Sequence, residues 1–411
     1  MEGGRWRRLA REPRWAVLAA SFLTLVLVQG ATYTFPVFLV PLATEFGGLR
    51  GVAAAAFSLH NLAVGFTATA VDPLLGRFGE RRVFIVGAVI LGAGLVLAGL
   101  ARSPLELVLG FSIVAGVGAG VLGSVAQTVM LSRWFPTARG AVVGFALSGM
   151  GIGIFLFAPL CAYLIERVGW RGAFAYIGIG TALLLVPTNA MTPILAPEAG
   201  RAAGGRAARP AERLAAILPT FRFWCFAAAS FLTPVSNMMV TTHQVAHVVD
   251  AGIDPRWAAA AFGFVGLLSG IGRASFGALS DRAGRVPTAL ASYAVTALGT
   301  LALAFLRPGA PGWLLYAFVF PFGLTLGARA PIIAALAADV YGGRTYGVVL
   351  GLITLSNRVG SAVGPWLGGV IYDVTGSYRN AFTVAIASIG VAALAIVGAG
   401  RGAVDGNRAR G

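Results

Sequence analysis

The chain contains no lysine: all 31 of its Lys+Arg residues are arginine. With so much alanine and glycine alongside, that is the usage of a GC-rich coding sequence and names no activity. Charge of either sign is scarce, at 11% of 411 residues, about half of what a soluble domain carries. That argues against a soluble protein. Cysteine occurs twice, as Cys161 and Cys225 inside apolar runs, so no disulfide framework is expected. There is no P-loop, no HExxH and no acid pair embedded in an apolar run, so no enzyme, cofactor or metal is expected. The start, "RWRRLAREPRW", is too charged for a cleavable signal peptide, and the run after it is long enough to stay as a helix.

What is present is apolar length. A membrane span needs about 20 residues, and twelve such runs follow one another: 15–42, 52–76, 83–101, 105–132, 140–165, 172–194, 221–249, 257–280, 287–306, 312–340, 346–371 and 380–400. The longest polar interruption, "APEAGRAAGGRAARPAERLAA", falls after the sixth. The expected organisation is a six-helix bundle over 1–195, a cytoplasmic linker over 196–218 and a second bundle over 219–411. Arginine asymmetry gives orientation. With a cytoplasmic N-terminus, twenty-one arginines fall inside and seven outside (Arg50, Arg102, Arg167, Arg171, Arg256, Arg307, Arg379). Both termini and the linker then lie inside. The net charge of +16 is a topology signal, with headgroup contact secondary and no nucleic acid implied.

The halves repeat. "LLGRFGERR" after the second run matches "ALSDRAGRV" after the eighth, with Arg77/Arg282 and Gly79/Gly284 both 205 apart. "RGAVVGFAL" matches "YGVVLGLIT", with Gly140/Gly347 207 apart, and "VGWRGAF" matches "TGSYRNAF", with Arg171/Arg379 208 apart. The fold class that follows is an all-α membrane protein of twelve helices in two pseudo-symmetric halves.

"GALSDRAGR" resembles the signature of the major facilitator superfamily, and the resemblance covers essentially the whole chain. It implies gating or structural roles for Asp281 and Arg282 and, in the first copy, for Arg77. That copy departs from the pattern: Gly76 stands where the family has aspartate, and Asp72 where it has glycine. Asp72 is the candidate to replace the missing tie between loop and helix. "YTFPVF", "RWFPTARGAVVGFALSGMGIG", "VGWRGAF", "TTHQVAHVVDAG" and "GRASFGALSDRAG" are similar to the monocarboxylate transporter and oxalate/formate antiporter branch.

Three arginines lie inside runs: Arg273, Arg329 and Arg358. Each costs about 2.5–3.5 kcal/mol at mid-span, and no carboxylate lies in the middle of any run. One reading is that the counter-charge is a carboxylate substrate, held by parallel hydrogen bonds from a guanidinium. The other is that each arginine bonds carbonyls at a helix break or snorkels. By resemblance Arg273 is the substrate-binding arginine and Arg358, or its neighbour Asn357, a second cationic or polar contact. Arg329 stands two residues before Pro331, whose missing N–H frees a carbonyl. Two departures bear on coupling. Ser269 stands where proton-coupled relatives place aspartate, and Val37 where they place lysine. Coupling through protons, through exchange of anions or through a histidine all stay open.

Tyr33, His60 and Asn61 are candidate lining residues. Gln127 and Asn237 fit packing better. His243 and His247 share a helix face and suit a gate or a structural hydrogen bond better than a metal. "GSAVGPWLGG" spaces small residues for close helix contact. The expectation is a secondary transporter of small organic anions, a monomer in the bacterial inner membrane, with protons or a counter-anion as coupling partner. The alternatives are a drug or metabolite efflux transporter and, further off, a non-transporting carboxylate sensor.

Overall fold

The computed structural model describes residues 13–136, 139–192, 217–341 and 343–400. Apart from its last two residues, the expected linker 196–218 lies outside them. So do Arg5, Arg7, Arg8 and Arg11 at one end and Arg401, Arg408 and Arg410 at the other. The helices are α1 (Pro13–Tyr33), α2 (Phe35–Glu45), α3 (Arg50–Phe78), α4 (Glu80–Gly99), α5 (Pro104–Leu107), α6 (Gly116–Leu122), α7 (Ser124–Trp134) and α8 (Arg139–Ala190). After these come α9 (Phe221–Asp250), α10 (Pro255–Ala283), α11 (Arg285–Ala304), α12 (Trp313–Leu326), α13 (Arg329–Tyr341), α14 (Gly343–Thr375) and α15 (Tyr378–Gly400). A π-helical stretch, Val108–Ala115, joins α5 to α6. No strand occurs among the described residues.

Eleven of the helical stretches are long and apolar enough to cross a membrane. The longest, α8, is two helices merged across Gly169, whose φ of 70° is not helical, so the twelve runs are accounted for. Large apolar side chains face outward along the helices, Leu183 at 68% exposure and Leu394 at 74% among them. That surface suits lipid rather than water.

Three runs that read as continuous in sequence are interrupted. The first breaks at Thr34, two residues before Pro36, which has no N–H to give to the Thr32 carbonyl; the Thr34 hydroxyl donates to the Gly30 carbonyl at 2.7 Å. The fourth breaks at Gly123, whose backbone is extended, and the tenth at Gly327–Ala328. The last two breaks sit at matching places in the two halves.

The duplication is written into the backbone as well. Gly79 (φ 81°, ψ 151°) and Gly284 (φ 90°, ψ 152°) hold the same left-handed turn before α4 and α11, a conformation open to glycine without Cβ strain. Close helix approach repeats too. A Cβ on Gly153 of α8 would stand 2.2 Å from the Val26 carbonyl of α1, and one on Gly360 of α14 would stand 2.1 Å from the Phe231 carbonyl of α9. Bare backbone lets each pair pack tightly.

The chain divides into two compact units. One takes the residues up to Phe38 and from Leu59 to Gly204, the other Leu39–Ser58 and everything from Gly205. In the second unit Phe226, Tyr293, Ile332, Ile353, Ile389 and Ile396 form the centre of the core.

Candidate functional site

In the second unit the break between α12 and α13 gathers two of the three arginines. Gly272 brings α10 against α12: a Cβ there would stand 1.7 Å from the Leu324 carbonyl. That contact sets the next residue, Arg273, beside the break. Its partly buried guanidinium lies over Gly327, where a Cβ would meet Nε at 3.0 Å and Nη2 at 3.2 Å. Glycine leaves the space that the guanidinium fills. One turn earlier, the Ser269 hydroxyl donates to the Gly266 carbonyl at 2.7 Å.

Arg329 opens α13 on the other side of the break and is 1% exposed. Its Nη1 donates to the Ser292 carbonyl at 3.1 Å and to Thr296 Oγ1 at 2.5 Å. Nη2 donates to Asn237 Oδ1 at 2.7 Å. The guanidinium also stacks over Tyr293, 5.0 Å from the ring centre. Arg329 therefore ties α9, α11 and α13 together and uses its fork on protein groups. Asn237, which had read as a packing residue, is one arm of that tie.

Arg358 and Asn357 lie partly buried on α14. The Asn357 carbonyl accepts from the Ser361 hydroxyl at 2.9 Å, and Arg358 makes no hydrogen bond or ion pair among the described residues.

In the first unit, Tyr33 donates its hydroxyl to Asn61 Oδ1 at 3.1 Å, which joins two of the expected residues. His60 is 0% exposed and turns elsewhere. Its Nδ1 lies 3.0 Å from the Phe111 carbonyl, and its ring stacks on that phenyl at 4.6 Å. Gln127 bridges the Gly123 break by donating to the Leu122 carbonyl at 3.1 Å.

The expected latch residues behave differently in each half. In the first, Arg133 at the end of α7 donates to Asp72 at 2.9 Å and to Glu80 at 3.4 Å. In the second, Arg285 pairs with Asp281, bonds Ser280 at 2.7 Å and lies 3.7 Å from Asp339. Arg77 stacks on Phe78 at 5.2 Å, and Arg282 is exposed.

His243 and His247 are tied individually. His243 Nε2 lies 2.8 Å from the Pro365 carbonyl and Nδ1 3.2 Å from the Tyr378 hydroxyl. His247 Nε2 lies 2.9 Å from the Leu303 carbonyl. Beside them is a cluster that sequence reasoning missed. Arg50, counted only as an outside arginine, grips Asp250 through bonds of 2.6 and 2.9 Å. Its guanidinium lies 4.1 Å from the Tyr372 ring centre and 5.0 Å from that of Tyr378. Asp373 accepts from the Arg50 and Gly51 backbone N–H groups at 2.8 Å each, capping the start of α3. Nothing local in the sequence signals partners 200 and 323 residues away.

The family model described as Major Facilitator Superfamily matches residues 20–328 and 276–406. The chain is 31% identical over 384 residues to Monocarboxylate transporter 11 of Mus musculus, covering 90% of this chain and 83% of the relative. It is 29% identical over 374 residues to Monocarboxylate transporter 13 of Rattus norvegicus, covering 90% and 85%. Among solved structures it resembles the nucleoside transporter NupG with a TM-score of 0.77 at 14% identity, over 94% of this chain and 100% of the other. A bacterial homologue of the human lysosomal transporter Spinster gives 0.68 at 16%, over 95% and 98%. Those two likenesses concern the fold alone.

Proposed function

Since the chain belongs to the Major Facilitator Superfamily, we propose that it is a secondary transporter of small organic anions, monocarboxylates or short dicarboxylates, working by alternating access. The moving bodies are the bundles 1–195 and 219–411, joined by the linker 196–218. The chain works as a monomer in a bacterial inner membrane with both termini cytoplasmic.

The observation that supports this most is the seat of Arg273. A guanidinium within an apolar helix costs about 2.5–3.5 kcal/mol, and here it is set beside a helix break over a glycine that leaves it room. A carboxylate offers two acceptors that match its fork in a dry site. The names of the relatives point to the same class of substrate. Arg273 anchors the carboxylate, and Arg358 or Asn357 takes a second anionic or polar group. The Tyr33–Asn61 pair and His60 are the first unit's own candidates for shaping the pathway. Arg329 we assign to holding the break, because its hydrogen bonds go to protein groups. Ser269 at the relatives' acid position favours exchange of anions over the proton-coupled scheme.

The test is uptake of labelled lactate, pyruvate, oxalate and formate into proteoliposomes, with and without a pH gradient or an internal anion. Uptake that Arg273→Ala abolishes is the expected result, with stimulation by internal anion rather than acid. Uptake of none of the four, or normal uptake by Arg273→Ala, overturns the proposal.

A further inference from the structure

A second cationic place lies in the same unit, away from the α12–α13 break. A cavity of about 540 Å³ opens where α9 ends, between the 305–311 turn and the start of α15. That volume is in the usual range for small-molecule sites, about 300–1,000 Å³. Arg307 and Arg379 line it. Both are exposed, and neither forms an ion pair among the described residues. Stacking on Phe305, 5.3 Å from the ring centre, orients the Arg379 guanidinium.

Asp250 is the single carboxylate in the lining. It is already held by Arg50 through the two bonds described above. The cavity therefore keeps two guanidinium groups without a counter-charge, over an apolar floor of Phe305, Leu306 and Leu314. A small anion with an organic body satisfies both features, since guanidinium forks bind carboxylate oxygens in pairs and the floor covers the rest.

We infer that this cavity is a second carboxylate site, distinct from the one at Arg273, in which Arg307 and Arg379 hold the anionic group. The class of anion rests on the proposed function; the site itself rests on the cavity and its charges. An anion bound there shares the cavity lining with Asp250 and repels the carboxylate that holds Arg50. Filling the site then loosens the hold of α9 on the first turn of α3.

The experiment is equilibrium binding of labelled lactate to the purified full chain, in wild type, in Arg273→Gln, and in Arg273→Gln carrying Arg307→Gln and Arg379→Gln as well. Both added positions are exposed, so their replacement is expected to leave the fold intact. Arg273→Gln should retain one lactate per chain, and the triple variant should bind it at least about tenfold more weakly, equivalent to about 1.4 kcal/mol. Equal binding by Arg273→Gln and the triple variant overturns the inference, as does complete loss of binding in Arg273→Gln alone. A site that takes inorganic phosphate and refuses lactate overturns its assignment to an organic acid. Retained binding that depends on Arg307 and Arg379, without any uptake in proteoliposomes, would leave this site standing while the transport reading fell.

Discussion

Glu80 and Arg133 face each other at 3.4 Å in the first unit, and the corresponding pair in the second, Arg285 and Asp339, carries the opposite charges at 3.7 Å. The offsets are 205 and 206 residues, those of the surrounding repeat. One ion pair between the ends of neighbouring helices is thus kept in both halves with its polarity exchanged. Reversing Arg133 alone, as Arg133→Glu, sets a third carboxylate beside Asp72 and Glu80 and should cost about 2–3 kcal/mol, the scale of a hydrogen bond to a charged group. Adding Glu80→Arg recreates the polarity of the second half and should recover more than half of the loss. Thermal unfolding in detergent reads this directly. A double variant as unstable as the sum of its parts would show that the contact is not what holds the two ends.

That exchange also explains what the sequence could and could not convey. Positions that must stay small were legible, since Gly79 and Gly284 are required by the same left-handed turn and survive as identical letters. The ion pair was hidden because physics needs opposite charges and not particular residues, so glutamate aligned against arginine reads as a mismatch. Twelve apolar runs were legible from length. The interruptions at Thr34, Gly123 and Gly327–Ala328 were not, since a glycine or threonine in a glycine-rich membrane helix does not announce a break. At the candidate site, Arg273 stood out as a charge in an apolar run. The network that fixes Arg329 draws on Asn237, Ser292 and Thr296, polar residues with nothing local to join them.

Arg50 and Asp250 should behave as one unit. Their pair is bidentate, with side-chain exposure of only 12% and 34%, so solvent screens it less than an open surface pair. Arg50→Ala and Asp250→Ala should each lower the unfolding free energy, and the double variant should lose less than the sum, leaving a coupling of about 1–2 kcal/mol. Strict additivity in that cycle would show that the two groups do not stabilise each other in the folded protein.

Glycines of this chain should divide sharply when changed to alanine. Gly272→Ala drives a Cβ into the Leu324 carbonyl and should cost several kcal/mol, about 3 or more, because backbone cannot step aside. Gly351→Ala meets nothing within 4 Å and should be neutral or slightly stabilising through helix propensity, by up to about 1 kcal/mol. Expression level and melting temperature of the two variants, measured side by side, check the contrast. Gly327→Ala falls between them. Its Cβ would crowd Arg273 Nε at 3.0 Å and the Ser269 carbonyl at 2.8 Å, so it should disturb carboxylate binding more than folding.

Arg273 and Arg329 share a helix break yet should fail in different ways. Arg329 is 1% exposed, and its removal takes the guanidinium donor from Asn237 Oδ1 and one donor each from the Ser292 carbonyl and Thr296. Arg329→Gln should therefore cost about 2–3 kcal/mol, the scale of losing hydrogen bonds to a charged group and leaving a buried acceptor short of a donor. Arg329→Lys should not rescue it, because an ammonium cannot reach acceptors on two helices as a planar fork does. Arg273→Gln, at a less buried position, should cost less stability than Arg329→Gln and abolish carboxylate uptake, and Arg273→Lys should restore uptake only weakly, lacking the paired bonds. Melting curves and uptake for all four variants decide the matter. If Arg273→Gln unfolds the protein while Arg329→Gln leaves it stable and inactive, the roles of anchor and clamp are reversed.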